Sequence, residues 1–227
     1  MRALLDGYGL AYRDHGDDLP TAAGHIALGR TVGWFQGRME AGPRTLGRRS
    51  ILADPRHTQT RDHINDRVKR RESWRPLAPA LLEDAAPDLI GTAAPHPFMI
   101  VARQATGTAR KLIPATVHTD SALRPQPVAR DDTDPYARLL ASFAEQTGRP
   151  PALLNTSFNH EAEPIVCSPR DAVATFAAGP LDVLAIGPFL DRKDRPKMTV
   201  RHEPLTAGTL RPGPGQHPQQ AKDRFSR

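Results

Sequence analysis

The chain has 227 residues, 38% of them apolar and 5% aromatic, with 31 Lys and Arg against 25 Asp and Glu for a formal charge of +6. That length suits one large domain or a domain with a tail, and the single cysteine, Cys167, excludes an internal disulfide framework or a Cys-rich zinc site. No apolar run nears the roughly 18 residues of a membrane span, and Arg2-Ala-Leu-Leu-Asp6 is no secretory leader, so a soluble, cytoplasmic protein without membrane partners is expected.

In chain order, Arg2–Leu10 and Thr21–Leu28 read as helices, and Thr31–Phe35 as a short strand ending at Gly37. Ser50–Ala53 reads as a strand, and Thr58–Val68 as a polar helix with Ile64 and Val68 on one face. Leu77–Leu82 and Phe98–Ala102 are expected strands, each announced by a proline. Tyr136–Gln146 carries an apolar stripe of Leu139, Leu140 and Phe143, and Gly148 supplies its stop. Pro151–Asn155 reads as a buried strand, Arg170–Ala177 as a helix begun by Ser168-Pro169, and Val183–Ile186 as the last strand. The alternation predicts an α/β or α+β domain over residues 1–190.

Residues 191–227 hold nine Lys and Arg against four Asp and Glu, together with five prolines. This segment is expected to be a disordered basic tail. It reads as solubilising filler ahead of a nucleic-acid arm, so nucleic acid is not the favoured partner.

Three segments hold more polar and special-geometry residues than a plain loop needs. Gly37–Arg56 sets Arg38, Arg44, Arg48, Arg49 and Arg56 among Gly37, Gly42 and Gly47. Glycines admit tight turns and close ligand approach, and guanidinium forks grip phosphate oxygens in pairs. Asn65–Pro79 adds Lys69, Arg70, Arg71 and Arg75. For Arg61, Arg67, Arg70 and Arg71 a solvated helix face is the simpler reading, whereas Pro43-Arg44 and Arg75-Pro76 hold a cation beside a stiffened backbone. Leu153–Val166 runs a buried strand into Asn155, Thr156, Ser157 and Asn159. Either these neutral groups meet a ligand at the strand's end or they only cap a turn.

GRMEAGPRTLGRRSILADPR, VKRRESWRPLAPALLE and LLNTSFNHEAEPIVCSPRDAV together resemble the C-terminal, YrdC-like domain of the O-carbamoyltransferase family. The resemblance spans about residues 1–190 and implies a twisted mixed sheet with flanking helices. It implies a domain that takes carbamoyl phosphate and ATP with Mg²⁺, releases phosphate, and makes carbamoyl adenylate with loss of pyrophosphate. In the family a separate actin-like domain, with a bound metal, passes the carbamoyl group to an acceptor hydroxyl, so a partner chain carrying that domain is expected. The family's binding and activating residues match Arg44, Lys69, Arg75, Arg124 and Ser157 here. Lys69, Arg44, Arg75 and Ser157 are accordingly expected at the reacting groups. Arg124, with Arg38, Asn155, Thr156 and Asn159, is expected to contact substrate and nucleotide.

The chain departs from the family at Arg48, where Asn is usual, at Ala41, where an aromatic is usual, at Ser121-Ala122, where Gly-Thr is usual, and at Ala162, where Gly is usual. These changes leave room for a second reading, a non-catalytic remnant or regulatory subunit that binds nucleotide. A nucleic-acid-binding YrdC-like module is a third. The histidines, His57, His63, His96, His118 and His160, read as surface or loop residues and not as metal ligands. Cys167 reads as a packed small residue.

Overall fold

The computed structural model describes residues 1–16, 19–94 and 96–193. Its elements are α1 (Arg2–Gly7), β1 (Arg13–Asp14), α2 (Leu19–Ala27), β2 (Val32–Phe35), β3 (Arg49–Ala53) and α3 (Thr58–His63), which runs into a π-helical turn, Ile64–Val68. There follow β4 (Ala78–Leu82), α4 (Ala86–Ile90), β5 (Arg103–Gln104), α5 (Gly107–Leu112), β6 (Ala122–Leu123) and β7 (Gln126–Val128). The chain continues through α6 (Pro135–Thr147), β8 (Ala152–Ser157), α7 (Pro169–Ala178), β9 (Val183–Ile186) and β10 (Phe189–Arg192).

Eight strands form one mixed sheet in the order β1-β10-β9-β2-β3-β8-β4-β7, and β5 pairs with β6 beside it. The β2–β9 and β4–β7 pairs are parallel, and the other pairs of the sheet are antiparallel. Strand residues alternate between faces, and both faces are buried. Ile51, Leu154, Leu184 and Ile186 join Phe158, Val173 and Phe176 on one side. Val32, Trp34, Leu52, Leu153 and Val183 join Ile26, Leu139, Leu140 and Phe143 on the other. One face is thus covered by α7, α1 and the π turn, and the other by α2 and α6.

Local chemistry fixes the long helices. The Asp134 carboxylate accepts from the Tyr136 N–H at 3.0 Å to start α6, and Gly148 ends it in the left-handed region at φ +61°. Ser168 and Asp171 form a reciprocal capping box at the start of α7. Among the described residues no helix is long and apolar enough to cross a membrane.

Three expectations need correction. Phe98–Ala102 is a turn and loop: Phe98 and Ile100 are 60% and 76% exposed, while Met99 is buried with φ +53°. An apolar run without a partner strand cannot satisfy its backbone as a strand would. Thr58–Val68 is no uniform α-helix, because its last turn widens to π, although Ile64 and Val68 are buried together as expected. The tail boundary at 191 is too early. Asp191 and Arg192 complete β10, and the Lys193 ammonium donates to the Phe176, Ala177 and Gly179 carbonyls at the end of α7. The rest of the predicted tail, 194–227, lies outside the described residues.

Candidate functional site

The first segment folds around its own Glu40 and Arg49. One Glu40 carboxylate oxygen accepts the backbone N–H groups of Leu46 and Arg48, both at 2.6 Å, and of Arg49 at 3.4 Å. The buried Arg49 guanidinium lies 3.5 Å over the Phe35 ring and donates to the carbonyls of Gln36, Gly37 and Arg48. Gly47 sits at φ +100° against Tyr136, whose ring occupies the space a Cβ would need. The loop is pinned at both ends, and its tip carries Pro43, Arg44 and Thr45 to the wall of a cavity. Arg48 pairs with Asp134 at 3.0 Å and Arg56 with Asp54, so both serve the scaffold.

The π turn delivers Lys69, and such turns often mark functional positions. Lys69 is only 5% exposed. Its ammonium donates to the Ser157 carbonyl, the Ser157 hydroxyl at 3.1 Å, the Asn159 carbonyl at 2.9 Å and Asn159 Oδ1 at 2.6 Å. Burial lowers its pKa to about 7, Arg71 adds to the fall, and Glu163 opposes it. The surrounding oxygens favour the charged form. The Ser157 hydroxyl donates to Asn159 Oδ1 at 2.7 Å, and Asn159 Nδ2 donates to the Glu163 carbonyl at 2.6 Å.

Asn65, fully buried, ties the loop beyond Lys69. Its amide nitrogen donates to the Ser73 and Arg75 carbonyls at 3.2 and 2.9 Å, and its oxygen accepts from Arg71 Nε at 2.9 Å. This fixes Arg71, whose pKa is lowered by burial and then by Arg75.

Three adjoining depressions make one cleft. The central cavity, about 90 Å³, is lined by Arg44, Arg71, Arg124, Asn155, Thr156 and Ser157 among others, and among the described residues no carboxylate lines it. A second, about 270 Å³, shares Arg71 and Ser157 and adds Lys69, Arg70, Arg75 and Asn159. Glu72 and Glu161 are the acids on its wall. A third, about 200 Å³, shares Arg124 and Pro76–Ala78 with the centre and is otherwise mostly apolar. Arg124 is half-buried, with its pKa lowered by burial and then by Arg44, and its Nε is buried without a partner. Like charges held together in a partly desolvated wall call for an anion between them.

Eight of the nine expected site residues therefore lie on the cleft. Arg44, Arg124, Asn155, Thr156 and Ser157 line the centre, and Lys69, Arg75 and Asn159 line the adjoining basic end. Arg38 is exposed and lines neither cavity. Asn155 is largely committed to the scaffold: its Nδ2 donates to the Thr45 carbonyl and to Gln126, and its buried Oδ1 has no partner. Arg71, read above as part of a solvated helix, faces the cleft instead, because the chain has left the helix by residue 70. Arg67 stays solvated, as expected, beside Asp66.

His96 and His160 lie in loops, as expected, but neither is a plain surface residue. His96 is buried, with Nδ1 2.6 Å from the Ala94 carbonyl. His160 is a brace, its ring nitrogens 3.2 and 2.8 Å from the Val68 and Thr175 carbonyls. It packs where a side chain at Gly179 would stand. Cys167 is exposed, not packed, because it lies just before the α7 cap. Among the described residues no three His, Cys, Asp or Glu side chains gather as a metal set.

The chain as a whole is similar to several known proteins. The family model described as "Carbamoyltransferase C-terminus" matches residues 23–193. The nodulation protein NolO of Bradyrhizobium diazoefficiens is 46% identical over 185 residues, covering 78% of this chain and 33% of that protein. NolNO of Sinorhizobium fredii is 45% identical over 181 residues, covering 78% of this chain and 26% of that one. The chain thus spans about a third or less of these relatives. Among solved structures, P. abyssi Sua5 complexed with L-threonine has a TM-score of 0.54 at 13% identity, over 74% of this chain and 46% of that one. Full-length HypF in its phosphate- and nucleotide-bound form has a TM-score of 0.52 at 17% identity, over 78% of this chain and 22% of that one. At these identities the two structures establish the YrdC-like fold alone.

Proposed function

Because the chain belongs to the carbamoyltransferase family, as its C-terminal domain, we propose that it is the part of an O-carbamoyltransferase that binds carbamoyl phosphate and ATP and makes carbamoyl adenylate. Water first displaces phosphate from carbamoyl phosphate to leave carbamate. A carbamate oxygen then attacks the α-phosphorus of ATP, and the bond to the β-phosphate oxygen breaks to release pyrophosphate. A separate actin-like acceptor domain would take the carbamoyl group to a hydroxyl and release AMP.

One observation carries this reading: Arg44, Arg71 and Arg124 line a single small cavity on which, among the described residues, no carboxylate stands, next to Lys69 and Arg75. Displacement at phosphorus needs no protein nucleophile, so catalysis reduces to positioning and neutralising charge. Arg44 and Arg124 are suited to paired oxygen contacts and Lys69 to a compact point charge. Ser157 already accepts from Lys69 and donates to Asn159; it would offer its hydroxyl to a ligand by turning from Asn159. The cleft's few carboxylates, Glu72 and Glu161 at one end, do not make a protein-held Mg²⁺ site. On this reading the ion arrives on the phosphates of ATP, and no step is assigned to it.

The test is pyrophosphate release by the purified chain with carbamoyl phosphate, ATP and Mg²⁺ and no acceptor. Release that Lys69→Ala abolishes and Lys69→Arg restores poorly is the expected result. ATP binding without pyrophosphate, even with an acceptor domain added, would make the chain a nucleotide-binding remnant. No binding of either substrate at millimolar concentration would end the assignment.

A further inference from the structure

The loop after β8 holds Lys69 twice, once by its side chain and once through the backbone before it. Asn159 takes the ammonium through its carbonyl and its Oδ1, at 2.9 and 2.6 Å. His160, the next residue, reaches the residue that precedes Lys69: its Nδ1 stands 3.2 Å from the Val68 carbonyl. Val68 closes the π turn, and the last carbonyls of a helical turn have no N–H further along the helix to meet them. The other side of the ring is tied to a rigid element. Nε2 stands 2.8 Å from the Thr175 carbonyl, in the last turn of α7. Glu163 joins the same two partners, its carboxylate accepting from the His160 N–H at 3.1 Å and from the Thr175 hydroxyl at 3.4 Å. α7 is fixed in its turn by the capping box and by Ala172, Val173 and Phe176 in the core. Gly179 is shaped to this ring. Its φ of −103° is open to any residue, yet a Cβ there would overlap His160 Cε1 and Nε2. Glycine is required at 179 by the histidine and not by the backbone.

We propose that His160 is a positioning residue of the anion cleft: it locks the π turn to α7 and so sets where the Lys69 ammonium stands. Its ring lies on the wall of the basic end, but both nitrogens are turned to backbone carbonyls, so it acts through Lys69 and not on a ligand. An ammonium on a four-carbon stem has many places to go. Here Asn159 fixes the end of the stem, His160 fixes its root, and the two are neighbours in the chain. A misplacement of about 1 Å in a group that must meet a phosphate is costly to catalysis. The inference rests on the function proposed above only for that kinetic consequence, because the placement of Lys69 is measurable by itself.

The experiment labels the full chain with a trace of acetic anhydride and reads each lysine by mass spectrometry. Lys111, exposed on α5, is the reference, and Lys193, which caps the end of α7, reports on that helix. His160→Gln removes the ring and keeps an amide for one carbonyl. Gly179→Ala keeps the histidine and pushes its ring off its partners. Each is expected to raise the ratio of Lys69 to Lys111 labelling about fivefold or more and to weaken tripolyphosphate binding about threefold or more, with Lys193 labelling unchanged. The double variant should do no more than either single one, because both break the same link. An unchanged Lys69 ratio in both single variants would overturn the inference. So would Lys193 labelling that rises in step with Lys69, since that is only a loosened α7, and so would additive effects in the double variant. If Lys69 labelling rises as expected while wild type releases no pyrophosphate, the positioning stands and the proposed reaction falls.

Discussion

Lys69 makes the anion cleft testable without any chemistry. Its pKa of about 7 lies far below the roughly 10.4 of a free lysine, so at pH 8 Lys69 gives up its proton far more readily than a free lysine does. The sign follows from that order. Between about pH 7 and 10.4 the unfolded chain holds a proton that the folded one lacks, so the contribution of Lys69 to stability rises with pH across that window. A polyanion in the cleft supplies the missing negative charge and returns the proton. Binding tripolyphosphate at pH 8 should therefore return up to about one proton to Lys69, beyond whatever the ligand itself exchanges, and fewer to the extent that the Ser157 and Asn159 oxygens already hold the ammonium. Calorimetry in two buffers of different ionisation enthalpy reads the number directly. In Lys69→Arg the charge is permanent, and the Lys69 contribution to the uptake should vanish while binding persists. Equal proton exchange by wild type and Lys69→Arg would refute a neutralised lysine recharged by the ligand, because the ligand's own protons count alike in both.

Three further outcomes follow from the scaffold. Asn65→Ala leaves the Ser73 and Arg75 carbonyls unpartnered and frees Arg71, so thermal unfolding should show a loss of about 2–4 kcal/mol, and tripolyphosphate affinity should fall with it. Gly47→Ala forces a side chain into the Tyr136 ring at φ +100° and should cost about 3 kcal/mol or more in denaturant melts. Ser121→Gly and Ala162→Gly, at φ +64° and +59°, should each stabilise by about 0.5–1 kcal/mol, the strain of a side chain in the left-handed region; a loss of stability at either would show that the side chain makes a contact worth more than that strain.

Strands that carry their own pattern were legible. Val183–Ile186 is found as read, and Pro151–Asn155 differs from β8 only at its ends. What could not be read locally was structure created by partners. β7 is Gln126-Pro127-Val128, held by parallel pairing to β4, and β10 sits in a charged stretch whose pairing with β9 is set by the turn at Gly187. The same limit governs the site. Composition marked the arginine-rich loops, and the family resemblance singled out five residues, but Arg44, Arg48 and Arg49 are chemically alike in the sequence. Their division into one cleft residue and two scaffold residues depends on Glu40 and Asp134, and Asp134 lies 86 residues away from Arg48. Asn65 escaped notice because its partners are carbonyls eight and ten residues on, which no side-chain motif records.

The departures from the family pattern take on a different weight once placed. Ser121 and Ala162 stand where the resemblance leads one to expect glycine, and both keep a glycine-like positive φ. The backbone around the cleft therefore holds the course a glycine would give it, and the substitutions act mainly on stability. Arg48, in place of a usual Asn, turns to Asp134 at the start of α6 and away from the ligand cavities. Ala122 and Ala162 both lie on the cleft wall, and at Ala122 the change removes a hydroxyl and adds room. A remnant that had shed its ligand would have no reason to keep Arg44, Arg71 and Arg124 around a cavity that no carboxylate of the described residues lines, since uncompensated like charges destabilise the fold. The stability given up at that cavity favours a chain that still binds an anion there.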